Sequence, residues 1–159
     1  TAYEMLRSLV GSEMCIRDFV TGQQVLDALE WGARAVPSEN GGFLQVSGLT
    51  YEIHTGVASS AEKDENGMFT RVSGEYRVKN VMVGGQPLEL DKTYTLASHN
   101  YMLLGHGDGY TMFDGCEVLG EDMMVDNQVL ITYITTTLGG VVGEQYANPY
   151  GDGRIVAVE

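Results

Sequence analysis

Positive charge is what this chain has least of. Nine lysines and arginines stand against 22 aspartates and glutamates in 159 residues, a formal net charge of −13. Such a surface repels the phosphate backbones of DNA and RNA, which excludes a nucleic-acid polymer as an expected partner. It also weighs against the chain alone gripping a multiply charged phosphate; of a nucleotide, it would hold the base and sugar. No apolar run approaches the roughly 20 residues that a membrane-spanning helix requires, so no membrane span is expected. The opening residues lack the basic-then-apolar order of a secretory leader, from which nothing follows about export.

Residues that carry chemistry are also sparse. Cys15 and Cys116 form no CxxC pair and no metal-ligand spacing, and read as two unrelated thiols or, less readily, a disulfide. His54, His99 and His106 form no HxH, HxxxH or His–Cys pairing, so no metal site is expected from this segment. Ser47 has no GxSxG elbow around it, and Cys116 has no evident basic partner. Nothing supplies the clustered Asp, His and Asn side chains of a two-metal phosphatase. The chain is not expected to hydrolyse phosphate esters unaided.

What is present reads as one globular domain, with 43% hydrophobic and 19% charged residues. The first seventeen residues fit poorly with the rest. "TAYEMLRSLVGSEMCIRD" resembles a peptide that recurs where library adapter is translated at the edges of metagenomic assemblies. Residues 1–17 are therefore expected to be a non-native leader, with native sequence from about Asp18. The alternative is a real short helix, since Met5, Leu6, Leu9 and Val10 have helical spacing.

Thr21 followed by Gln24 forms a capping box, and Val25, Ala28, Leu29, Gly32, Ala33 and Val36 mark one face at helical period. A helix over 21–35 follows, stopped by Pro37. From Gly41 the pattern turns to strands: Phe43–Val46 and Leu49–His54 around the turn Ser47-Gly48, then 75–83 and 92–100, with a turn at Asp64–Gly67. A second helix should start at Asp126, carry Leu130, Tyr133, Ile134, Thr137 and Leu138, and stop at Gly139-Gly140. A last strand covers Arg154–Val158. This order predicts an α+β domain with a mixed sheet packed with two main helices.

Two segments are candidates for a binding site. In "GGFLQVSG", two glycines free the backbone just before Phe43, which lets its ring stand at a loop–strand junction; equally, Phe43 could be an ordinary first core residue. In "HNYMLLGHGDGY", glycines at 105, 107 and 109 surround Asp108 and let the chain present its carboxylate outward. A carboxylate accepts on two oxygens, which suits the vicinal diol of a ribose. The alternative is a turn in which Asp108 bonds only backbone N–H groups. The GxGxG spacing, with no helix after it, is not a dinucleotide fingerprint.

The stretches "TGQQVLDALEWG", "GGFLQVSGLTYEI", "VKNVMVGGQPLELDKTYTLASHNYML" and "GHGDGYTMF" together resemble the C-terminal domain of 5′-nucleotidases, including bifunctional UDP-sugar hydrolases and 2′,3′-cyclic-nucleotide phosphodiesterases. The resemblance runs from about Asp18 to Glu159 and implies a partial substrate-binding domain over 18–159. It implies that Phe43 and Tyr101 sandwich a nucleobase and that Asp108, in the loop with Gly107 and Gly109, binds ribose hydroxyls. Asn100 and His106 are further candidates. Such stacking is worth about 1–3 kcal/mol per base and tolerates any base.

The resemblance also implies a preceding metallophosphoesterase domain holding two divalent metal ions, with none bound by this fragment. An extracellular, cell-wall or periplasmic location goes with it. Two departures stand out: His106 replaces a glycine of the GGDGY found in many relatives, and the second stacking ring is a tyrosine. The rival expectation is a non-catalytic extracellular module that binds a glycan or a protein.

Overall fold

The computed structural model describes residues 15–120, 125–148 and 151–159. In chain order the elements are β1 (Cys15–Thr21), α1 (Gly22–Ala33), β2 (Leu49–His54), β3 (Ala61–Lys63), β4 (Phe69–Val72), β5 (Val78–Val83), β6 (Gln86–Pro87), β7 (Thr93–His99), the short α2 (Asn100–Leu103), β8 (Glu117–Gly120), α3 (Asp126–Thr132) and β9 (Ile155–Val158). Most of the leader assigned from sequence lies outside the described residues, but Cys15, Ile16 and Arg17 belong to β1, paired with His99, Ser98 and Ala97 of β7.

Two sheets carry the domain. One is antiparallel, in the order β7-β1-β8; the other is mixed, in the order β6-β5-β2-β9, with β2 and β9 parallel and the remaining pairs antiparallel. A separate β3–β4 hairpin flanks the expected turn, where Asp64 Oδ1 accepts from the N–H groups of Asn66 (2.9 Å) and Met68 (2.8 Å). The α+β class and the mixed sheet are as expected. The element count is not: β1, β3, β4, β6, β8 and α2 join those anticipated. All are strands of seven residues or fewer or a single helical turn.

Phe43–Val46 corrects the expectation in the other direction, because it forms no strand. Its polar backbone is claimed elsewhere: Phe43 N–H donates to the Asn40 carbonyl at 3.0 Å, and the Val46 carbonyl accepts from Arg154 Nη1 at 2.5 Å. With those groups taken, the segment lies outside any ladder.

Helix α1 begins as its capping box dictates. Thr21 N–H donates to Gln24 Oε1 at 2.8 Å, and Thr21 Oγ1 accepts from Gln24 N–H at 3.2 Å. Of the expected stripe, Val25, Ala28, Leu29, Gly32 and Ala33 are buried and Val36, past the helix end, is half-buried, but Glu30 and Trp31 are buried too. The helix packs against β1 on one side and against β4 and β5 on another, so an apolar stripe alone cannot cover its contacts. Inside, β2 buries Tyr51 and Ile53 and β5 buries Val78 and Val81. Val78 and Val81 share a face because Asn80 (φ +51°) forms a bulge between them, its amide donating to Glu52 Oε2 at 2.7 Å. Among the described residues, no helix is long and apolar enough to cross a membrane.

Candidate functional site

The loop after α1 is wound around one side chain. Asn40 Nδ2 donates to the Gly32 carbonyl at 2.9 Å, while Asn40 Oδ1 accepts from Gly42 N–H at 3.2 Å. Gly42 is thereby set down against Asp108: a Cβ on Gly42 would lie 2.8 Å from Asp108 Cβ and 3.1 Å from its Cγ. Tyr110, fully buried, donates its hydroxyl to the Gly42 carbonyl at 2.5 Å. Burial pushes this phenol above its ordinary value, which keeps it a donor.

The second loop is fastened from below by Trp31, whose indole N–H donates to the Asp108 carbonyl at 2.9 Å. Trp31 is 1% exposed, meets Phe69 edge-on at 5.7 Å and is covered by the Arg34 guanidinium 3.8 Å from its ring centre. Burial lowers Arg34 from its ordinary value, opposed by the nearby Tyr110 and Asp108. Within the loop, His106 and Asp108 both take left-handed backbone angles, φ +53° and +54°, a conformation that a side chain enters at a cost. His106 Nε2 is paired with the Asp114 carboxylate, which ties the loop to the segment after it. A glycine would fit the same angle at lower cost, and here the histidine adds the tie.

The predicted residues fall as follows. Tyr101 lies in α2, 49% exposed, with its ring against Gly107: a Cβ on Gly107 would come within 2.1 Å of the ring carbon Cε1. Asp108 is exposed, between buried Gly107 and Gly109. Phe43 is half-buried, packed against the core and lining a cavity of about 290 Å3. A continuous run of contacts thus leads from the Tyr101 ring through Gly107 and Asp108 to Gly42, next to Phe43. Asn100 Oδ1 accepts from Tyr101 N–H at 2.8 Å and steadies the start of α2.

Of three further contributors, Asn40 and Trp31, which sits off the apolar stripe of its helix, were not marked in the sequence pattern, and Gly42 was marked only for freeing the backbone before Phe43. That lone tryptophan at an off-stripe position was the one signal available. A fourth device is the buried pair behind the helix. Arg77, 4% exposed, donates Nη1 to the Ala33 (3.1 Å) and Val36 (2.9 Å) carbonyls, closing the end of α1 from which the Asn40 loop departs. Glu30, fully buried, accepts Val78 N–H at 2.9 Å, and burial raises its carboxyl above the ordinary value, with Arg77 nearby opposing this.

A larger cavity of about 470 Å3 lies between β7 and the 44–49 segment, walled by Val20, Leu29, Leu44, Leu96 and Met102 among others. Its walls are mostly aliphatic and give a nucleoside little to be oriented by, so the polar loops form the better candidate. Among the described residues, no three His, Cys, Asp or Glu side chains gather as ligands for a metal ion. Cys116 Sγ accepts from Gln24 Nε2 at 3.3 Å.

Residues 16–115 match the family model described as 5′-nucleotidase, C-terminal domain. A 5′-nucleotidase of Vibrio vulnificus is 29% identical over 115 residues, 72% of this chain and 17% of the relative. The trifunctional nucleotide phosphoesterase protein YfkN of Bacillus subtilis is 29% identical over 148 residues, 93% of this chain and 9% of the relative. Among solved structures, a 5′-nucleotidase precursor from Thermus thermophilus superposes with a TM-score of 0.70 at 26% identity, covering 92% of this chain and 25% of that one. The chain therefore spans at most about a quarter of the length of these relatives.

Proposed function

Because the chain belongs to the 5′-nucleotidase, C-terminal domain family, we propose that it is the nucleotide-recognition domain of a two-metal phosphoesterase. In this reading Phe43 and Tyr101 stack on the base and Asp108 accepts hydrogen bonds from the ribose hydroxyls. Gly107 and Gly109 let the loop lie close beneath them. The observation that carries the reading is the run of contacts from the Tyr101 ring through Gly107 and Asp108 to Gly42. It brings segments distant in sequence to one surface and leaves the carboxylate open to solvent.

In the same reading the two metals and the hydrolysis they support belong to a separate phosphoesterase domain, and this chain supplies the nucleotide-binding part. Its task is to present a nucleotide to that domain. The acidic surface agrees, since a domain of net charge −13 leaves the phosphate to cationic groups elsewhere. Export to the periplasm, cell wall or medium is part of the proposal, supported by the precursor named among the solved relatives.

Adenosine at millimolar concentration should shift the NMR signals of the Phe43 and Tyr101 rings, and unmoved signals at saturation would overturn the assignment. Joined to its phosphoesterase domain, Phe43→Ala should raise KM roughly tenfold with kcat little changed, because the ring acts through binding common to ground and transition states.

A further inference from the structure

The cavity that Phe43 lines has a second wall, the turn Gly151–Arg154 that leads into β9. This wall lies beyond the matched family region, which ends at residue 115. The turn is firmly built. Gly151 and Gly153 take φ of +85° and +84°, and Asn148 Nδ2 donates to the Gly151 carbonyl at 2.7 Å. Asp152 Oδ1 accepts from Arg154 N–H at 3.2 Å and from Arg154 Nε at 2.8 Å. Arg154 Nη1 reaches across to the Val46 carbonyl, and the Arg154 carbonyl accepts from Tyr51 N–H of β2 at 2.9 Å.

These contacts fix the guanidinium in place and use only part of its donors. Of the five N–H groups of an arginine side chain, one on Nε and one on Nη1 are engaged. Those that remain have no hydrogen-bond partner among the described residues, on a side chain that lines the same cavity as Phe43. A planar heterocycle stacked on Phe43 would turn its edge toward that wall. The hydrogen bond from Arg154 holds the Asp152 carboxyl below its ordinary range, so a carboxylate stands beside the guanidinium. A phosphate is therefore a poor occupant, and a neutral acceptor a good one.

We infer that Arg154, steadied by Asp152, is a specificity-determining residue that donates to an oxo group on the edge of the base, favouring 6-oxopurines over 6-aminopurines. The inference rests on the nucleoside reading above. An oxo group accepts, whereas the amino group of adenine would set a donor against a donor. Good arginine pairings to a base edge are among the stronger sources of base discrimination.

Inosine and adenosine test this, since they stack alike and differ at the 6-position, oxo against amino, and at N1, which donates in inosine and accepts in adenosine. Calorimetric titration of the unsubstituted protein should give tighter binding of inosine. Arg154→Ala should cut the inosine-to-adenosine affinity ratio roughly tenfold by weakening inosine alone, and Arg154→Lys should fall between. Because the ratio is read within one variant, a loosened turn that weakens both nucleosides equally leaves it unchanged, and that result would overturn the inference. Unsubstituted protein that binds neither nucleoside would instead bring down the nucleoside reading itself, and this one with it.

Discussion

Two sets of glycines in this chain look alike in sequence and do opposite work. At Gly84 and Gly85, between β5 and β6, φ is +57° and +79° and a Cβ would meet nothing within 4 Å. These residues are there for their backbone angles, as a tight hairpin demands. At Gly42 and Gly107 no left-handed angle is involved, yet a Cβ would strike Asp108 or the Tyr101 ring. There the missing side chain is what lets Asp108 and the Tyr101 ring approach the backbone. Gly109 does both, with φ +86° and with Trp31 Cζ2 and the Gly67 carbonyl where a Cβ would go.

The distinction makes predictions of different size and kind. The largest effect belongs to Gly22, at the first turn of α1, where a Cβ would fall 2.2 Å from the Glu89 carbonyl oxygen. Helix propensity alone would make Gly22→Ala stabilising by about 1 kcal/mol. Collision with rigid backbone should reverse that sign and cost about 2–3 kcal/mol, read from urea unfolding. A stabilised variant would break the close-approach argument.

Next is Gly107→Ala. The obstacle is a half-exposed ring that can swing into solvent, so stability should barely move. The stacking surface would be lost, and adenosine affinity should fall roughly tenfold, about 1–3 kcal/mol being the worth of one aromatic–base contact. Equal affinity with an unchanged melting temperature would remove Tyr101 from the site. The smallest effect is Gly84→Ala, which should cost about 1 kcal/mol through its left-handed angle and leave nucleoside binding untouched.

Local signals were read well from sequence because their partners lie within a few residues. The Thr21–Gln24 box set the start of α1, and Asp64–Gly67 gave the hairpin turn. Asp126 gave the start of α3, although the helix widens over Tyr133–Thr137. Phe43–Val46 misled for the same reason: its β-forming composition is local, while the groups that take its hydrogen bonds include an arginine 108 residues away. The burial of Glu30 and Trp31 was hidden too, since a helix packed on more than one side has no polar face to betray its neighbours.

The sequence by itself determined the acidity of the chain, its capped helix and its turns. It also determined the stock of rings, glycines and one loop carboxylate from which a site can be made. Each of these depends on residue chemistry or on contacts a few positions apart. Only the tertiary structure decided that Gly42 lies against Asp108, that Trp31 anchors the loop carrying it, and that the Phe43 cavity ends at Arg154. Those contacts join segments that no periodicity links, and they form only when the packing of α1 and the sheets closes them together.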